Sequence, residues 1–109
     1  MRIISGLIVL AATAATATAA MAETSRWSDG EYIKAARCRG IAGSQALGVV
    51  DTSALDALLK AQSRGRAPHI VEKADTSRAD AERVAKRAGA ERKAALIAER
   101  DGSCRAYMS

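Results

Sequence analysis

Phenylalanine is absent from this chain, and it holds only one proline, one histidine, one tryptophan, two tyrosines and two cysteines. Each scarcity excludes something. Three aromatic residues cannot dominate a core, and none of them falls between Pro68 and Arg100 to stack on a single-stranded nucleic acid. One histidine and two distant cysteines leave too few soft ligands for zinc, and Cys38 and Cys104 are far from Cys-x-x-Cys redox spacing. His69, beside Pro68, reads as an exposed residue at a helix start rather than the base of a Ser-His-Asp triad. Asp80 and Glu82 are two apart on an expected helix and point in different directions. Gly40-Ile41-Ala42-Gly43 lacks the lysine and the preceding strand of a phosphate loop. No catalytic residue, metal or cofactor is expected, and the chain reads as a non-enzyme.

Long apolar runs are also missing, except at the start. Met1 to Ala22 carries a single charge at Arg2, an apolar stretch from Ile3 to Ala12, a run of small residues and Ala20-Met21-Ala22 as a cleavage site. That is the pattern of a secretory signal peptide. Its second half is almost all Ala and Thr, too weakly apolar to hold a helix in lipid, so a membrane anchor is the lesser reading. Residues 1–22 are therefore expected to be removed, leaving 23–109 as one small helical domain in the periplasm or the medium. Contact with a membrane would come only through an uncleaved leader.

The body is short of core. Thirteen Leu, Ile and Val residues lie beyond Ala22, about 15% of that segment against the roughly 20% of a confident globular chain. Alanine supplies the rest, favouring helix while burying little area. A small domain with a thin core needs a staple or a partner. In an oxidising compartment Cys38 and Cys104 have no other cysteine in the chain to pair with, so an intrachain bond is the expected reading and an intermolecular bridge the alternative. A disulfide closing so long a loop is worth about 4 kcal/mol by the loop-closure entropy it removes.

Helical signals fill the body. Ser28-Asp29-Gly30-Glu31 fits a capping box, predicting a helix from Asp29 to about Ile41 with Trp27 packed on Tyr32 as a staple. Gly40, Gly43 and Gly48 predict an irregular stretch in which Ala46 to Val50 is tucked against the core. Asp51, Thr52 or Ser53 caps a second helix, to about Gln62, with Leu55, Leu58 and Leu59 on one face. Ser63 to Pro68 breaks the chain. From Pro68 to about Arg100 the pattern predicts one long helix, with Ile70, Ala74, Ala81, Val84, Ala85, Ala88 and Ala95 in a narrow stripe suited to an antiparallel hairpin or weak coiled coil, and with Gly89 the point at which it kinks or splits. Tyr107 and Met108 should return to the first helix with Cys104. The fold class is thus all-α: a small three-helix bundle or helical hairpin with a long C-terminal helix, stapled by one disulfide.

Function is legible only as binding. The formal net charge is +5, and Arg78, Arg83, Lys86, Arg87, Arg92, Lys93 and Arg100 lie along the long helix. Acids interleave at ion-pair spacing, Asp75 to Arg78, Asp80 to Arg83 and Glu82 to Lys86, which describes a solvated face more readily than a ligand site. Lys60, Arg64 and Arg66 around Gly65 form a denser cluster and the candidate anion or partner contact. The expected role is non-catalytic, binding or structural, in the cell envelope, through protein contact with an envelope partner or through self-association. A basic binder of polyanions such as lipopolysaccharide or cell-wall polymer is the alternative, with nucleic acid disfavoured. A small chaperone or inhibitor is the third reading: leader, short helical body and one cysteine pair are similar in layout to acid-activated periplasmic chaperones, without a shared motif.

Overall fold

Ser28 and Glu31 start the first helix as the capping box requires. Ser28 Oγ accepts from the Glu31 N–H at 3.1 Å and the Glu31 carboxylate accepts from the Ser28 N–H at 3.1 Å. Helix α1 then spans Asp29–Ala42 in the computed structural model, which describes residues 25–108. The leader read at 1–22 lies outside them. After a one-turn 3-10 segment at Gln45–Leu47 come α2 (Ser53–Ser63), α3 (Pro68–Arg87), α4 (Ala90–Asp101) and the short α5 (Arg105–Met108).

Helix α1 is the hub. Tyr32, Ala35, Ala36, Cys38, Gly40, Ile41 and Ala42 are all buried, and they leave no single apolar stripe because neighbours approach from several sides. Leu55 of α2 packs with Ala35 and Cys38, while Asp56 reaches Arg39 and Gln62 reaches back to Trp27, so α2 runs antiparallel to α1. The turn at Gly65, in the left-handed region at φ +76°, redirects the chain into α3. Ala74 of α3 lies with Tyr32 and Ala36, and Ala81 and Ala85 lie with Ile41. The two helices are therefore parallel, so of the two arrangements suggested for the alanine stripe the antiparallel hairpin is not the one made with α1. α2 supplies the return run that makes this possible.

The stripe itself is real in its first part. Ala74, Ala81 and Ala85 are fully buried, and the small side chains admit α1 so closely that a Cβ on Gly40 would stand 2.4 Å from the Arg78 carbonyl oxygen. Ala95 is the exception and is exposed. The long helix is split at the point where the sequence allowed a kink or split, because Ala88 and Gly89 are both extended and reset the phase so that Leu96 faces the core.

Geometry compels that break. A straight helix from Ala81 to Cys104 would run about 35 Å at 1.5 Å per residue. Ala81 sits against Gly40, yet Cys104 bonds to Cys38 with a Cα–Cα distance of 5.5 Å across a sequence separation of 66. α4 must fold back along α1, and Gly89 is where helix costs most to propagate. Both cysteines are buried, and Trp27, Leu59, Tyr107 and Met108 pack around them. Trp27 meets Tyr107 edge to face at 5.4 Å, so the expected staple partner, Tyr32, shares Trp27 with the C-terminal tail. The disulfide is consistent with an oxidising compartment.

A two-toothed ion pair also fastens α4 to α1. Arg37 donates through Nε and Nη2 to the two Glu99 oxygens at 2.8 and 3.0 Å. Chiefly through that hydrogen bonding, the Glu99 carboxyl is held below its usual range. A folded-state pKa depressed in this way contributes stability above the unfolded value and loses it as the pH falls through the folded one. Glu99→Gln should therefore cost under about 1 kcal/mol near neutrality, as for a partly exposed pair. Urea unfolding as a function of pH should show that difference closing below about pH 4.3, the ordinary glutamate value.

Candidate anion-binding groove

The basic cluster around Gly65 is not one surface. Lys60 and Arg64 are exposed, but the Arg66 side chain is only 3% exposed. Its Nε donates to the Gln62 carbonyl at 2.7 Å, Nη1 to Asp29 at 2.7 Å and Nη2 to the Trp27 carbonyl at 2.7 Å, and the guanidinium lies 4.6 Å from the Tyr32 ring centroid. Every nitrogen is committed inside the fold. Gln62, also buried, completes the latch by accepting from the Trp27 N–H and donating to the Ser25 carbonyl, both at 3.0 Å. Arg66→Ala should cost about 2 kcal/mol in thermal or urea unfolding, and Arg66→Lys should recover little, because an ammonium cannot span three acceptors and a ring.

The run along the former long helix divides in the same way. Arg100 turns inward to donate to the Leu47 and Gly48 carbonyls at 3.0 and 3.1 Å, pinning the loop after α1. Arg83 pairs with Asp80 at 2.9 Å as the spacing predicts. Arg78 takes Glu82 at 3.4 Å, where the sequence suggested Asp75 for Arg78 and Lys86 for Glu82. That exchange matters, since it leaves Lys86 without its expected partner. Among the described residues Lys86, Arg87 and Arg92 form no ion pair.

These cations border two grooves that share Arg83 and Arg87. The first, about 620 Å³, lies between the Gly43–Ala46 loop and α3, with Ser44 and Gln45 on one wall and Glu82, Arg83, Lys86 and Arg87 on the other. The second, about 530 Å³, sits at the helix break over half-buried Val84 and Ala88, and is bordered by Arg83, Arg87 and Arg92 with no acid in its lining. Residues 83, 86 and 87 share a helix face by their i, i+3, i+4 spacing, and the break at Ala88–Gly89 brings Arg92 to the same side. The arrangement concentrates positive charge in a concave surface, where the field on an anion is strongest.

Charge order alone did not disclose this. The loop wall and the break were needed to turn a solvated helix face into a groove. Among the described residues there is no cluster of three metal-ligating side chains, and no helix is long and apolar enough to cross a membrane. Comparison with protein-family models, with curated proteins and with solved structures returns no match for this chain.

Proposed function

We propose that the chain is an exported, non-catalytic binding protein of the cell envelope, periplasmic or secreted, and that it engages an anionic ligand through the α3–α4 grooves. The observation that carries this reading is that Lys86, Arg87 and Arg92, which form no ion pair among the described residues, border two adjoining grooves that share Arg87. An apolar docking face has less support, because Val49 is the one large hydrophobic residue that is exposed among the described residues. The signal-peptide pattern and the disulfide support the compartment.

The test is retention on a heparin matrix by protein exported under its own leader. Retention should weaken steeply with added salt as the contacts are screened. Each of Lys86→Gln, Arg87→Gln and Arg92→Gln should weaken binding by about threefold to tenfold, whereas Lys60→Gln should not. Equal retention of all four variants would contradict the assignment.

A further inference from the structure

The two walls of the first groove differ in chemistry, and the difference selects among anions. Ser44 is only 8% exposed, yet its hydroxyl does not cap the 3-10 turn that follows and makes no hydrogen bond among the described residues. It is not sealed in, since no buried side-chain polar atom among them lacks a partner, and Ser44 is among the residues that line the groove. A hydroxyl so placed supplies a neutral donor opposite the cations, and Gln45 adds an amide beside it. Facing them are the Lys86 ammonium and the Arg87 guanidinium, with Arg83 tied to Asp80. Glu82, the one carboxylate on the lining, is drawn toward Arg78.

Donor-bearing residues on two walls of one groove suit a tetrahedral anion. A carboxylate has two coplanar oxygens and is satisfied by a single guanidinium fork, leaving Ser44 unused. A terminal phosphoryl group carries three acceptor oxygens and nearly two negative charges. Two of its oxygens can meet Lys86 and Arg87 while the third accepts from Ser44. We infer that this groove is a phosphoryl-binding site, recognising a terminal phosphate on a lipid headgroup or on a soluble phosphorylated compound. The inference rests on the anion-binding role proposed above and specifies its ligand.

Calorimetric titration of the exported, disulfide-intact protein with inorganic pyrophosphate, and with citrate at matched ionic strength, tests it. Pyrophosphate should bind at least about tenfold more tightly than citrate. Ser44→Ala should reduce pyrophosphate affinity by about tenfold, the loss of one hydrogen bond to a charged group, and leave citrate unchanged. Arg87→Gln should weaken both. Because the Ser44 hydroxyl has no partner among the described residues, the melting temperature of Ser44→Ala should match that of the parent, which separates lost binding from lost fold. Sedimentation with phosphatidylcholine vesicles containing phosphatidic acid, reversed by pyrophosphate, would place the phosphoryl group on a lipid; pyrophosphate binding without sedimentation would place it on a soluble ligand. Equal affinity for pyrophosphate and citrate, or no effect of Ser44→Ala, would overturn the phosphoryl assignment while leaving anion binding intact. Absence of binding to either anion and to heparin would overturn both.

Discussion

Replacing Cys38 and Cys104 together by serine should lower the stability of the domain by about 4 kcal/mol, the loop-closure entropy released when a crosslink spanning 66 residues is removed. That approaches the lower end of the 5–15 kcal/mol range for whole domains, and this domain has little else. Among the described residues the fully buried large side chains are Ile41 and Leu55 beside the two cysteines themselves. α4 depends on the bond most, because Leu96 is its only buried residue and the Arg37–Glu99 pair is partly exposed. Serine hydroxyls in the cavity left by the sulfurs would also lack partners. Hydrogen exchange on the double variant should lose protection first in residues 90–108 and then throughout. Native-like protection over α4 without the bond would show that packing alone holds it.

Gly40→Ala should cost about 2 kcal/mol, although alanine is favoured over glycine within a helix by about 1 kcal/mol. The added methyl would meet the Arg78 carbonyl oxygen at 2.4 Å and the Ala81 Cβ at 3.0 Å. One obstacle is backbone and the other is a side chain with no rotamer to change, so relief requires α1 and α3 to separate along their whole contact. Separation would uncover Ala74, Ala81 and Ala85 together. Gly30→Ala, on the first turn of the same helix, is the control: its nearest neighbour would be Ser28 Oγ at 3.9 Å, and it should be neutral or slightly stabilising. Equal urea midpoints for the two variants would mean that the close approach is not needed.

Much of the fold was written in local signals. Ser28 and Glu31 set the start of α1, Leu55 with half-buried Leu59 marked the inner face of α2 while Leu58 stayed outside the core clusters, and the alanines at 74 and 81 marked the contact with α1. What the pattern hid was the role of α1. A helix surrounded by neighbours shows no amphipathic period, so its burial is silent in the sequence, whereas the three-sided surroundings of Cys38 are plain in the structure. Gly89 marked where the long helix could divide, but the need for division comes from Ala81 packing against Gly40 while Cys104 bonds to Cys38, a contact that the sequence does not give. The site was less legible. Arg66 and Arg100 look like surface cations and serve as internal clamps, while Lys86 looks paired and is not, since Arg78 takes its acid. Which of two acids an arginine selects depends on rotamers and neighbours, and spacing does not encode it.

The crosslink underlies the stability and, in the proposed role, the anion-binding surface, since the bond holds α4, and Arg92 with it, against α1; export is the condition proposed for its formation. Intact mass spectrometry under non-reducing conditions, with and without thiol alkylation, on protein produced with its own leader addresses both directly. A chain beginning at Glu23, two hydrogens lighter than its reduced form and inert to alkylation, is the expected result. A full-length chain with two thiols that alkylate would contradict it, removing the compartment and the staple at once.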